Sequence, residues 1–290
     1  MNTNEEIVGM VAQDNNLKTR VLTSIPLILL VLVCIYFGEY PFLMLCCFVS
    51  SLIALEAIKL LSSNGKTLLN FFSAISIFGT SLITHTGYTD PWAYIFGAVS
   101  CTILIIFYYT MNPKIKPFKL FVFSAIILIS IIFATIGPWL RITPDGLVFV
   151  FWLCLAVWIN DIASYGLGRL IGGPKLLPSI SPKKTISGAL GGVIFTVIFS
   201  ILWFFITTRT GLINKDNNII TLAILGFVIS IIAQIGDLIE SAFKRKIGIK
   251  DTSNLIPGHG GIMDRMDSLV FAVLICAPAM WIIGEKPLSW

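Results

Sequence analysis

Hydrophobic residues fall along this chain in long runs, broken by short stretches that carry charge, Gly or Pro. A helix of about twenty apolar residues crosses the ~30 Å of hydrocarbon in a bilayer. Nine such runs can be drawn: Val21 to Gly38, Pro41 to Leu61, Leu68 to Thr84, Pro91 to Met111, Phe118 to Leu140, Leu147 to Leu170, Ser187 to Thr208, Ile219 to Ser241 and Ser268 to Gly284. The expected fold is therefore all-α, a polytopic transmembrane helical bundle of about nine spans.

Composition strengthens that reading. The 290 residues are 56% hydrophobic and only 12% charged, with a mean hydropathy of +0.91, whereas a soluble domain is about a quarter charged. So few ionisable side chains cannot cover a surface facing water, so lipid must. The net charge of +5 is modest and scattered. It excludes a nucleic-acid footprint and suits basic loops lying against anionic headgroups. All six cysteines lie inside apolar runs, without the paired spacings of disulfide frameworks or zinc sites, and read as packing residues. Glu5, Glu6, Asp14, Lys18 and Arg20 precede the first run. No cleavable signal pattern is expected there, and the first helix serves as the insertion signal.

Short basic loops stay in the cytoplasm during insertion. With the N-terminus inside and nine alternating spans, sixteen of the 20 lysines and arginines fall on the inner side, leaving Arg141, Arg209, Lys215 and Lys286 outside. The expected location is the bacterial cytoplasmic (inner) membrane, with the polar chemistry facing the cytoplasm. Residues 1–290 read as one integral membrane domain: a cytoplasmic segment over 1–20, a five-helix half over 21–140, and a half over 141–290 that carries the chemistry. No inverted repeat or low-complexity segment divides it. Glu56, three residues before Lys59, reads as half of an ion pair at a helix end.

Three polar clusters fall at the inner ends of helices six to nine. The first is Asn160-Asp161, followed by Ser164, Tyr165 and Arg169. A carboxylate inside a membrane helix costs ~3 kcal/mol or more and needs a partner or a task; an Asp161–Arg169 pair sealing a polar seam is the plain alternative. The second is Gly172-Gly173-Pro174-Lys175 through Ser181-Pro182-Lys183-Lys184-Thr185, opening a helix at Ser187-Gly188. Small residues, lysines and a helix N-terminus together suit phosphate. The third runs from Gly236-Asp237 through Glu240, Ser241, Lys244, Arg245, Lys250 and Asp251 to Pro257-Gly258-His259-Gly260-Gly261 and Asp264, Arg265 and Asp267. Asp237, Glu240, Ser241 and Lys244 share one helix face, while Asp264 begins the next helix, where a capping role is the plain alternative. Two antiparallel helices joined by a Gly-rich loop bring Asp237 near Asp264, and such carboxylate pairs hold magnesium together with substrate phosphates. Acids, a metal and lysines suit phosphoryl or nucleotidyl transfer.

The 27 residues from Ser241 to Asp267 resemble the signature of the phosphatidate cytidylyltransferases, or CDP-diacylglycerol synthases. Asn160-Asp161 with Gly168-Arg169, the Ser181 to Thr185 run and Gly236-Asp237 resemble the family's other motifs, in the same order. Many relatives carry an acid shortly after the Ser-Pro-Lys-Lys-Thr run, where Ser187 and Gly188 stand here. The resemblance implies transfer of a cytidylyl group from CTP to phosphatidic acid. It implies Asp237 and Asp264 as catalytic metal ligands for Mg2+ or another divalent cation, supported by Asp161 and Asp267. A second ion, monovalent or divalent, is allowed, as is a homodimer. Lys183 and Lys184 would hold the triphosphate, and Lys244 and Arg245 the phosphatidate or the leaving pyrophosphate. Asn160, Asp161, Arg169, Ser181, Thr185, Ser241, Lys250, His259 and Arg265 complete the expected substrate contacts. A CTP-dependent polyprenol or dolichol kinase and an ion-coupled transporter are the competing readings.

Overall fold

The apolar runs become helices, described here from a computed structural model that covers residues 22–62, 65–86, 91–212, 218–257 and 260–283. The segment 1–20 and His259 lie outside the described residues. The helices are α1 (Leu22–Phe37), α2 (Glu39–Leu61), α3 (Lys66–Thr86), α4 (Pro91–Met111), α5 (Pro117–Ile142), α6 (Gly146–Leu170), α7 (Ile186–Arg209), α8 (Ile219–Ile247) and α9 (Met263–Ile283). Six of them (α2, α3, α5, α6, α7 and α8) are long and apolar enough to cross a membrane by length and composition. The all-helical expectation holds among the described residues, apart from one small hairpin.

Packing joins the two halves of the chain. Helix α2 lies along α5 and α3, α6 lies along α7, and α8 is held between α7 and α9. Contacts of α9 with α5 and α2 tie the last helix back to the first half. Trp152, Tyr108, Phe123 and Phe149 are fully buried in a continuous apolar core. The rings of Tyr108 and Phe123 stack at 3.7 Å, while the Tyr108 hydroxyl donates to the Leu61 carbonyl at 3.0 Å. That bond gives the phenol a partner where burial would otherwise leave it unsatisfied.

Helices α8 and α9 reach further than their apolar runs. Helix α8 continues through Lys244-Arg245-Lys246 to a left-handed cap at Gly248, and α9 starts at Met263 rather than Ser268. Hydropathy ends where charge begins, but the backbone hydrogen bonds of a helix do not. The three cations in the last turn of α8 also complement its dipole.

The loop expected over 172–185 contains an antiparallel hairpin, β1 (Lys175–Leu177) and β2 (Ser181–Thr185), with Lys175 opposite Thr185 and Leu177 opposite Ser181. Such short strands, one with Pro182 inside it, lack the β-branched alternation that marks a strand in sequence. Thr185 then caps α7, its hydroxyl accepting from the Gly188 amide at 3.1 Å. Helices α6 and α7 cross so closely here that a Cβ on Gly188 would stand 2.5 Å from the Ser164 carbonyl oxygen. Only glycine permits that approach, which sets the hairpin over the end of α6.

Candidate active site

The polar ends of α6, α8 and α9 and the hairpin come together. Asn160, fully buried, anchors the first cluster: its Oδ1 accepts from Ser230 at 2.6 Å and from Gln234 at 3.0 Å, and its Nδ2 donates to Asp161 at 3.1 Å. The amide thus orients the Asp161 carboxylate. Asp161 interacts electrostatically with Asp267, Asp237 and Lys184. Arg169 turns instead to the Tyr165 hydroxyl at 3.3 Å, so no Asp161–Arg169 pair forms among the described residues. Beside Asp161, Ile162 and Tyr165 are exposed, which sets the acid at the edge of an apolar surface.

Lys184 on β2 forms an ion pair with Asp237 on α8, at 2.5 Å. Alternation along a strand sends neighbouring side chains to opposite faces. Lys184 is accordingly half-buried at the acids while Lys183 is exposed. The two lysines, adjacent in sequence, do not stand together. Ser181, at the start of β2, is half-buried, and Arg245 Nε donates to the Ile180 carbonyl at 3.3 Å, tying the hairpin turn to α8. Ser241 donates to Asp237 at 3.3 Å from the same face of α8. Lys250 is exposed beyond that helix.

A second charge centre lies between α8 and α9. Lys244 meets Asp264 at 2.8 Å and Glu240 at 3.4 Å. Glu240 is 4% exposed, and apart from that ion pair its oxygens find no hydrogen-bond donor among the described residues. Its carboxyl group faces that of Asp267, which also interacts with Asp237 and Lys244. Two carboxyl groups in contact call for a proton or a cation between them. Asp267 thus links the two centres, with Asp161 and Asp237 on one side and Glu240 and Lys244 on the other.

Asp264 is engaged on both oxygens. Oδ1 takes Lys244 at 2.8 Å, and Oδ2 accepts from the Thr252 amide at 2.9 Å, the Gly261 amide at 2.8 Å and the Thr252 hydroxyl at 3.0 Å. Asp237 and Asp264, expected to grip one ion, sit in separate ion pairs, with Lys184 and Lys244 respectively. Among the described residues no three acids, His or Cys already form a metal cage. Arg265 follows in the first turn of α9 and has an interaction partner of its own.

Glu56 overturns its expectation. Only 1% exposed, it makes no ion pair with Lys59 among the described residues; it accepts hydrogen bonds from Thr252, Ser253, Ile262 and Met263, some 200 positions downstream. Its one sequence signal was an acid inside an apolar run, and the nearby Lys59 explained that signal too readily.

Known proteins resemble the chain over nearly its whole length. Residues 18–283 match the cytidylyltransferase family. The phosphatidate cytidylyltransferase of Staphylococcus haemolyticus is 34% identical over 262 residues, covering 89% of this chain and 96% of that protein. Those of Staphylococcus epidermidis and Staphylococcus aureus are 32% and 31% identical, over the same shares of each chain. With nearly its whole length matched, the chain belongs to the cytidylyltransferase family.

Proposed function

We propose that this protein transfers the cytidylyl group of CTP to phosphatidic acid, yielding CDP-diacylglycerol and pyrophosphate. The observation that carries it is the convergence of Asp161, Asp237 and Asp267 with Lys184 and Lys244 at one end of α6, α8 and α9, in a chain of this family. The relatives' name supports the same substrates. A phosphate oxygen of phosphatidic acid attacks the α-phosphorus of CTP, and the bond from that phosphorus to the β-phosphate oxygen breaks. The attacking group is already ionised at neutral pH, so charge neutralisation and alignment are the main tasks. Lys184 binds the nucleotide phosphates, exchanging Asp237 for them. Lys244 lies within reach of the charge that develops on pyrophosphate, and Arg245 keeps the hairpin over the site. The apolar surface beside Asp161 suits an acyl-chain substrate.

The residues fit a divalent cation. The Glu240 carboxyl group set against that of Asp267, and the meeting of Asp161, Asp237 and Asp267, leave acids in excess of the ammonium groups beside them. Magnesium needs only one or two carboxylates when phosphates supply the rest. Asp237, with Asp161 and Asp267, would hold it; Asp264 joins only by giving up hydrogen bonds. Once bound, the ion would neutralise phosphate charge and polarise the reacting phosphorus.

The topology proposed with this function has α1, α4 and α9 crossing as well, for nine spans. The N-terminus and the site face the cytoplasm of a bacterial inner membrane, a reading that the lysine and arginine distribution supports.

Phosphatidic acid supplied with CTP labelled at the α-phosphorus tests the reaction. Label entering lipid is the expected result. Label entering lipid only from the γ-phosphorus indicates a kinase and overturns the proposal.

A further inference from the structure

A carboxylate from the first half of the chain reaches the loop beside the site. Glu56, near the end of α2, is buried to 1% exposure and fully used. Oε1 accepts from the Ser253 hydroxyl at 2.6 Å and the Ile262 amide at 2.9 Å; Oε2 accepts from the Thr252 hydroxyl at 3.0 Å and the Met263 amide at 2.9 Å. The two amides belong to the opening of α9, where a helix leaves N–H groups without internal partners and where its dipole favours negative charge. Glu56 therefore caps α9 from another helix, and the same carboxylate closes the turn that precedes it.

The capped turn also presents Asp264. The Thr252 hydroxyl stands 3.0 Å from both Glu56 Oε2 and Asp264 Oδ2, yet has one proton to give, so the two acids share one donor. Asp264 in turn holds Lys244. A chain of direct contacts thus runs from α2 to the ammonium group on α8. Gly261 leaves room for it: a Cβ there would lie 2.7 and 2.8 Å from the two Glu56 oxygens and 2.0 Å from the Thr252 hydroxyl.

We propose that Glu56 is a positioning residue for the reaction: by clamping Thr252, Ser253 and the start of α9 to α2, it sets Asp264 and Lys244 in the geometry that turnover requires. This rests on the cytidylyl-transfer reading above. Glu56→Gln is the informative change, because the amide keeps the volume but turns one pair of acceptor sites into N–H donors facing donors.

The full-length protein in detergent micelles is tested in two ways. Turnover of CTP and phosphatidic acid by Glu56→Gln is expected to fall at least tenfold in kcat, with the KM for CTP within about threefold of the parent. The loss persists at temperatures well below the melting transition. Tryptic cleavage after exposed Lys250 is expected to accelerate at least tenfold, and Glu56→Asp recovers part of both effects. Unchanged kcat overturns the proposal, whether or not cleavage changes. A loss that vanishes on cooling also overturns it, since that is a folding effect alone. If the parent protein itself transfers no label from α-labelled CTP, the reaction reading fails, and the cleavage rate still decides whether Glu56 clamps the turn.

Discussion

The ammonium group of Lys184 stands 2.5 Å from Oδ2 of Asp237, fastening the hairpin to α8 at the centre of the acidic group. Its neighbour Lys183 is exposed on the other face of the strand. Lys184→Ala is expected to lower kcat/KM for CTP by roughly 10²–10³-fold, the usual cost of losing a group aimed at reacting phosphate charge. Lys183→Ala, by contrast, is expected to change it by less than about fivefold, the scale of a solvent-exposed charge. Steady-state kinetics on the two variants side by side check this, and equal losses would remove the distinction.

Metal dependence separates the two aspartates. Chelation is expected to abolish turnover and added Mg2+ to restore it. Asp237→Asn should raise the half-activating Mg2+ concentration by ~10–100-fold, the scale on which metal affinity responds to its ligand environment. Asp264 has both oxygens committed to Lys244, Thr252 and Gly261. Its Asn variant is expected to shift that concentration much less while losing turnover. A larger shift for Asp264→Asn than for Asp237→Asn would reverse the assignment.

Close helix crossing gives a stability prediction. Adding a methyl group at Gly188 forces Cβ against the Ser164 carbonyl and the Gly168 backbone. Gly188→Ala is expected to destabilise the protein by ~1–3 kcal/mol, as overpacking does. Thermal unfolding in detergent measures it, and an unchanged midpoint would mean α6 and α7 are further apart than described.

Sidedness can be read with a membrane-impermeant thiol reagent, since the native cysteines lie within or beside the apolar core. Lys250→Cys should react in inverted vesicles and Thr210→Cys in right-side-out cells, both being exposed at opposite ends of α8 and α7. The opposite pattern would turn the protein over in the membrane.

The helices were legible because each is a long apolar run, and hydropathy needs no knowledge of partners. Where charge entered, the reading stopped early: α8 continues through Lys244 to Ile247 although Asp237, Glu240, Ser241 and Lys244 already showed the helical spacing. The site acids were visible as costly charges in apolar surroundings. Their pairing was not, because Lys184 reaches Asp237 through a hairpin that Ser-Pro-Lys-Lys-Thr does not announce. Glu56 was the hardest to read. Local spacing offered Lys59, while its hydrogen-bond partners begin at Thr252.

That separation bears on how the enzyme is made. Glu56 leaves the ribosome about 200 residues ahead of the amides it caps. Until Ile262 and Met263 have been translated, the α2 carboxylate is without the amides it caps, and the nascent chain lacks the acids of α9 that the proposed reaction uses. Activity therefore switches on late in biogenesis, after the last helix has docked against the second.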